Sequence, residues 1–263
     1  KGLCWTTSPY PTVDLTTKTE EGAGTGIFQS TMTGLAAGTK YYVRAYATNA
    51  SGTSYGEETS FTTYNADAIT DFDGNYYNIV TIGAQTWLEE NLRVTHLHDG
   101  SNISNLLTNN EWMNANAAAY SWYNNDKEAH KELYGAIYNG FAVNTDKLCP
   151  TGWKVPSDGD WYALKDYVAN NGFTGLEGKA LKSTYGWYSN DEHPVGDGTD
   201  NFDFNGLPGG FRKSSTGDFA FLTLNGYWWS TTAADATHQS NWFLRFHEDA
   251  LSLNESNYIA TGF

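Results

Sequence analysis

Cys149-Pro-Thr-Gly-Trp-Lys-Val-Pro-Ser-Asp-Gly-Asp-Trp161 is an extended run followed by a helix start. Pro156 ends the extended part, because its ring disfavours helical backbone in the residue before it. Ser157 can cap the helix, and Asp160 sits at the third helical position, a capping box with Asp in place of Glu. Trp161, Leu164 and Val168 then fall at i, i+3 and i+7, so the helix should bury that face. A second short helix is expected over 175–183. From residue 184 onward the chain reads as loops and strands, with two marked stretches. Gly206-Leu-Pro-Gly-Gly-Phe-Arg212 has paired glycines that permit a tight backbone path. Gly226-Tyr-Trp-Trp-Ser-Thr-Thr232 places three aromatic residues in a row.

The composition suits strands and ordered loops better than a helical bundle. Aromatic residues make up 16% of the 263 residues, and ten Trp with 18 Tyr exceed what one core needs. Some of these rings are therefore expected at the surface, where they give contact area at low entropic cost. The net charge of −15 argues against nucleic acid as a partner, since phosphate neutralisation needs Lys and Arg. No apolar run is long enough to span a bilayer. The chain opens at Lys1-Gly-Leu-Cys-Trp inside a strand pattern and without a signal peptide, which reads as a processed or trimmed start. Cys4 and Cys149 read as two buried free thiols, with a disulfide between them as the other reading.

Two modules are expected. Residues 1–63 are all-β: Tyr41-Tyr-Val-Arg-Ala-Tyr-Ala47 has a period of two, Asn49-Ala-Ser-Gly52 is a turn, and Glu58-Thr-Ser-Phe-Thr-Thr63 closes the module. Residues 64–70 form a polar linker, and 71–263 form the larger module. Its Asp73-Gly74 pair is a hairpin signal. Asp71, Asp73 and Asn75 fall short of a calcium loop, because the Gly comes too early and position twelve is Ile82. A short helix is expected from Asn110, an aromatic loop over 121–126, and a buried strand or extended segment over 134–143.

The first module resembles a fibronectin type III domain of the kind found in surface proteins of Bacteroidetes-type bacteria. The resemblance rests on Gly2-Leu-Cys-Trp-Thr-Thr-Ser-Pro9 and on the spacing from Leu35 to Tyr41, which matches that family's tyrosine corner. It begins in mid-domain, so the first two strands are expected to be lost by truncation or supplied by another segment. Such modules usually act as spacers. In the second module several motifs occur in one order: Ile82-Gly-Ala-Gln-Thr-Trp-Leu-Glu-Glu-Asn-Leu92, the 149–161 stretch, Lys179-Ala-Leu-Lys-Ser183, Phe204-Asn-Gly-Leu-Pro-Gly-Gly-Phe-Arg212, Trp228-Trp-Ser-Thr-Thr232 and Gly262-Phe263. Together they resemble the Fibrobacter succinogenes major paralogous domain, found in secreted and surface lipoproteins. That family's pattern continues past Gly-Phe into a Ser-Val-Arg-Cys strand, whose Cys is the expected partner of Cys149. The Gly152-Trp and Trp229-Ser segments also resemble formylglycine-generating enzymes, which implies a C-type lectin-like fold. The fold class expected is thus mostly β with an α+β second domain: a partial fibronectin type III sandwich, then a C-type lectin-like module.

The resemblance does not carry an activity with it. Formylglycine-generating enzymes use a pair of active-site cysteines, and this module holds only Cys149. No Gly-x-Ser-x-Gly elbow is present. His96 and His98 lack a third metal ligand. A glycosidase would need two converging carboxylates, for which Glu89, Glu90, Asp158 and Asp160 are available. A non-catalytic role is therefore expected, with adhesion or carbohydrate binding at the cell surface first and a structural or protein-interaction module second. The partner would be a glycan or a cell-surface protein, the location extracellular or on the outer membrane, with a lipid anchor upstream. Ligand-binding candidates are Trp122, Tyr123, Trp187 and Tyr188, which sit in polar sequence, together with Arg212. Calcium is the one candidate cofactor, with Asp197, Asp200, Asn201 and Asp203 of the acidic 189–203 loop as ligands.

Overall fold

A computed structural model describes residues 1–190 and 196–263. The chain divides into two units, Lys1–Ala68 and Ile69–Phe263. Both are mostly β, and their strands form several small sheets rather than a barrel among the described residues.

The first unit is one antiparallel sheet, ordered β1 (Gly2–Thr6), β2 (Lys40–Asn49), β3 (Gly52–Thr62). Alternation turns Tyr41 and Val43 of β2 inward, where they pack with Trp5. An irregularity between Arg44 and Tyr46 shifts the phase, so Tyr46 is buried in place of Ala45. Met32, Leu35 and Phe61 cover the cluster. The Tyr41 hydroxyl accepts a hydrogen bond from the Ala36 amide at 3.0 Å.

The second unit opens with two hairpins, β4 (Ile69–Thr70) with β5 (Tyr76–Tyr77), and β6 (Ile79–Ile82) with β7 (Gln85–Leu88). Gly74 supplies the positive φ of the first turn. Strands β8 (Ser104–Asn105), β9 (Ala119–Ser121) and β10 (Ile137–Tyr138) form a small mixed sheet. Helices α1 (Asn109–Met113), α2 (Lys127–Tyr134) and α3 (Gly140–Val143) border that region. The stretch expected to be a buried strand or extended segment over 134–143 is thus split. Asn139 ends it, because its side chain accepts from the Ala142 amide and starts a helix turn. Helices α4 (Asp158–Val168) and α5 (Glu177–Leu181) follow. The pair β11 (Phe211–Arg212) and β12 (Phe219–Ala220) precedes a longer antiparallel sheet, β13 (Asn225–Ala233), β14 (His238–Arg245) and β15 (Ser252–Tyr258).

The capping box at Ser157 is present in full: Ser157 Oγ takes the Asp160 amide, and Asp160 takes the Ser157 amide. Trp161, Leu164 and Val168 are buried as that helix start requires. They pack with Leu181, Trp242, Leu244 and Leu251 on one face of the β13–β15 sheet. On the other face Trp229 joins Tyr120, Trp122, Tyr138 and Val143. Strand β13 therefore lies between two aromatic cores, with neighbouring Trp228 and Trp229 directed to opposite sides. Two-residue ladders contribute little by themselves, so ring packing of this kind holds the small sheets in place.

Candidate functional site

The expected aromatic ligand site does not form. Trp122 is 3% exposed and packs edge-on against Tyr120 in one core cluster. Tyr123 is buried in another, beside Phe219 at 5.2 Å. Trp187 belongs to a third, its indole N–H donating to Ser183 Oγ and the Gly206 carbonyl. Tyr188 alone is exposed, at 45%, and it leans edge-on against Phe246. Polar neighbours in sequence are misleading here, because these rings meet their partners across the fold. Arg212 is also unavailable to a ligand. It is fully buried, held between the rings of Trp112 and Phe219. Its Nε donates to the Gly217 carbonyl at 2.8 Å and its Nη1 to the Leu106 carbonyl at 2.6 Å. Burial lowers its pKa to about 10, against the pull of Glu111 and Asp218.

The calcium ligands do not gather either. Asp197 Oδ1 accepts the Trp187 amide at 3.0 Å, and Asp200 Oδ1 accepts the Asn205 amide at 2.8 Å. Asn201 Oδ1 is taken by the Thr199 hydroxyl, and Asp203 stands exposed. The Asp197 and Asp200 oxygens thus tie the loop to the backbone on either side of it. Among the described residues no group of three or more His, Cys, Asp or Glu side chains is placed to hold a metal. Residues 191–195 of the same loop lie outside the described residues. His96 pairs with Asp73 of the first hairpin, whereas His98 bonds the Cys149 carbonyl at 3.1 Å, so the two do not share a ligand position. Both cysteines are buried free thiols, and burial pushes that of Cys149 up to about 12.

A different site is present, a cleft of about 500 Å³ beside strand β13. Trp87, Trp153, Tyr227, Trp228 and Phe263 wall it, and each of these rings is half-buried. The walls are braced from behind. Trp87 and Trp228 pack on the buried Trp161, with ring centres 5.0 and 6.2 Å away, while Phe263 stacks on Tyr227 at 5.1 Å. The Trp228 indole donates to Asn91 Oδ1 at 3.0 Å, and Asn91 in turn bonds the Tyr134 carbonyl. The Trp87 indole nitrogen is buried without a hydrogen-bond partner among the described residues.

The family model of the Fibrobacter succinogenes major domain matches residues 80–259. The chain belongs to that family. No curated protein and no solved structure matches it. Within the family domain, the most telling part of the cleft is backbone. β13 pairs with β14 along one edge only. On the other edge, Asn225 donates to the Phe221 carbonyl and accepts from Gly210, while Thr231 donates to Pro156. The Trp229 carbonyl accepts the Trp161 indole N–H at 3.4 Å. Alternation turns Tyr227 the same way as Asn225 and Trp229. Its N–H and C=O meet no protein partner among the described residues, and Tyr227 is one of the residues lining the cleft.

Two acidic residues, Glu89 and Glu90, are also among those lining the cleft. Glu90 Oε2 accepts the Asn78 amide at 2.8 Å, and burial raises its pKa. Burial is also the main cause at Glu89, followed by the charges of Glu90, Asp203 and Asp200; together they push it up to about 7. Sequence reasoning weighed these carboxylates only as catalytic acids. The usable signal was their position just after the aromatic strand Gln85–Leu88.

Proposed function

We propose that the family domain is a non-catalytic interaction module that accepts a short extended polypeptide segment at Tyr227, the open position on the outer edge of β13. One observation carries this reading: Tyr227, whose N–H and C=O are unpaired among the described residues, lines an aromatic-walled cleft. A seated partner would take water from this backbone donor and acceptor, and an added strand satisfies both while its alternate side chains fill the apolar walls. The burial of Trp122, Tyr123 and Trp187 further supports a protein partner over a stacked sugar. Carbohydrate binding and adhesion form the second reading. It is favoured by the half-buried faces of Trp153 and Trp228 in the same cleft.

The setting we propose is the bacterial cell surface, with the protein exported and anchored by a lipid upstream, and with the first unit as a spacer. The fibronectin type III reading of that unit draws support from the Tyr41 to Ala36 bond. The C-type lectin-like reading of the second draws support from α4 and α5 packed on a sheet amid long ordered loops. Among the described residues no helix is long and apolar enough to cross a membrane.

The test is a peptide-library selection on the purified chain, with a glycan array in parallel. Extended peptides with apolar residues at alternate positions should be selected. The Tyr227→Pro variant should lose them, because proline removes the edge N–H without touching the β14 ladder. Tyr227→Phe keeps the N–H and should still bind. Selected peptides that bind Tyr227→Pro as well as the parent would refute the strand reading. Selective glycan binding abolished by Trp228→Ala would move the function to carbohydrate.

A further inference from the structure

We propose that the strand taken up by the cleft carries a basic residue, lysine or arginine, whose cationic head seats against Glu89 and Glu90. The inference rests on the strand-docking reading above and names the chemistry of the partner. The cleft is uneven in charge. Glu89 and Glu90 line it, with Asp200 and Asp203 close enough to act on Glu89. Neither glutamate forms a salt bridge among the described residues. Lys154 is the one basic residue in the described lining, and it is engaged by Asp160 at 2.8 Å. Arg93 lies near Glu90 but donates to the Tyr76 carbonyl at 2.6 Å and pairs with Glu132.

Burial outweighs the help that the Arg93 charge gives Glu90 and the Asn78 side chain gives Glu89, and an incoming cation relieves the remaining cost. The surrounding rings strengthen the preference, because the negative faces of Trp87 and Trp228 attract an ammonium or guanidinium group. An acidic or neutral strand would bring the two glutamates no further compensation in a site made drier by its own binding. Charge therefore selects among strands that the backbone edge alone would accept equally.

The experiment uses one synthetic peptide frame, alternating valine and threonine, with the central residue varied. Lysine, N-acetyl-lysine, norleucine and glutamate versions are titrated against the full chain by tryptophan fluorescence and calorimetry. The lysine peptide should bind about tenfold more tightly than the acetylated one, with a steeper salt dependence. In the Glu89→Gln/Glu90→Gln double variant that gap should close, while the norleucine peptide binds unchanged. Equal binding of the lysine, acetyl-lysine and norleucine peptides would overturn the charge preference and leave strand docking standing. Tighter binding of the glutamate peptide, or binding that requires added calcium, would also overturn it. If no peptide of the series binds, strand docking fails and the charge preference with it.

Discussion

Replacing Glu89 by glutamine should make the protein more stable at neutral and alkaline pH and leave it unchanged in mild acid. Burial, then Glu90, Asp203 and Asp200, raise the Glu89 carboxyl from 4.5 to about 7 in the folded state. A folded pKa above the unfolded one means that the folded chain holds an extra proton between those values. The resulting stabilisation is complete below about 4.5 and is lost as pH rises through about 7. Glutamine copies the protonated form at every pH, so its advantage grows between about 4.5, where the unfolded wild-type carboxyl ionises, and about 7, where the folded one does. If fully expressed, the gap corresponds to roughly 3 kcal/mol, at about 1.4 kcal/mol per pH unit. Glu89 is only half-buried, and solvent screening reduces the expected gain to about 1 kcal/mol. For a unit of this size that is about 3 °C in Tm. Thermal unfolding followed by tryptophan fluorescence is the assay, at about pH 5 and about pH 8, below and above the folded-state titration. Trp5 is the only tryptophan before residue 69, so the signal reports mainly on the second unit. Glu90 and Asp200 also have raised pKa values, but they are common to both proteins, and the difference between variants isolates Glu89. A Glu89→Gln change with the same effect at both pH values, or one that destabilises at alkaline pH, would refute the reasoning.

Three further outcomes are expected. Arg212→Met should destabilise by about 3 kcal/mol in urea titration, because it strands the Leu106 and Gly217 carbonyls, and Arg212→Lys should recover little of that, since an ammonium cannot reproduce the planar fork. Trp187→Ala should cost about 3 kcal/mol in the same assay while Tyr188→Ala stays within about 0.5 kcal/mol, and the reverse order would show that these two neighbours are misplaced. Cys149 should resist alkylation at mildly alkaline pH in the folded protein and react promptly in urea, as followed by mass spectrometry; stoichiometric labelling of the native chain would contradict its burial and its raised pKa.

The parts of the fold legible in the sequence are those set by near neighbours. The α4 start could be read because Ser157 and Asp160 satisfy each other across three residues, and the helix period then fixes Trp161, Leu164 and Val168. The turn at Gly74 was readable for a similar reason, as only a residue tolerant of positive φ fits there. Rings were readable only as rings. Nothing beside Trp187 in sequence announces that its indole will donate to Gly206, or that Lys182 will lie over its face. Arg212 is the sharper case. A buried arginine suggests a carboxylate partner, yet this one donates its hydrogen bonds to carbonyls and lies between two aromatic faces, all brought in by other elements. The cleft was invisible for the same reason. Alternation in β13 gives the direction of each side chain, but whether its outer edge is paired depends on which strands become neighbours.

The excess of aromatic residues, at first an argument for surface stacking, bears on the cleft in another way. Trp87, Trp228 and Phe263 contribute one face to the cleft and rest the other on buried rings, so their positions are fixed before any partner arrives. A wall built this way cannot collapse inward to cover Tyr227, since that would unpack Trp161 and Trp229 from the two cores they hold together. The open edge is therefore maintained by the same packing that stabilises the unit. A partner strand would meet a rigid slot and lose only its own freedom on binding, which is the condition under which a short segment can bind specifically. The carboxylates follow the same logic. Glu89 and Glu90 sit at the end of a strand anchored through Trp87, so their mutual repulsion is not relieved by movement, and it remains as a preference for positive charge.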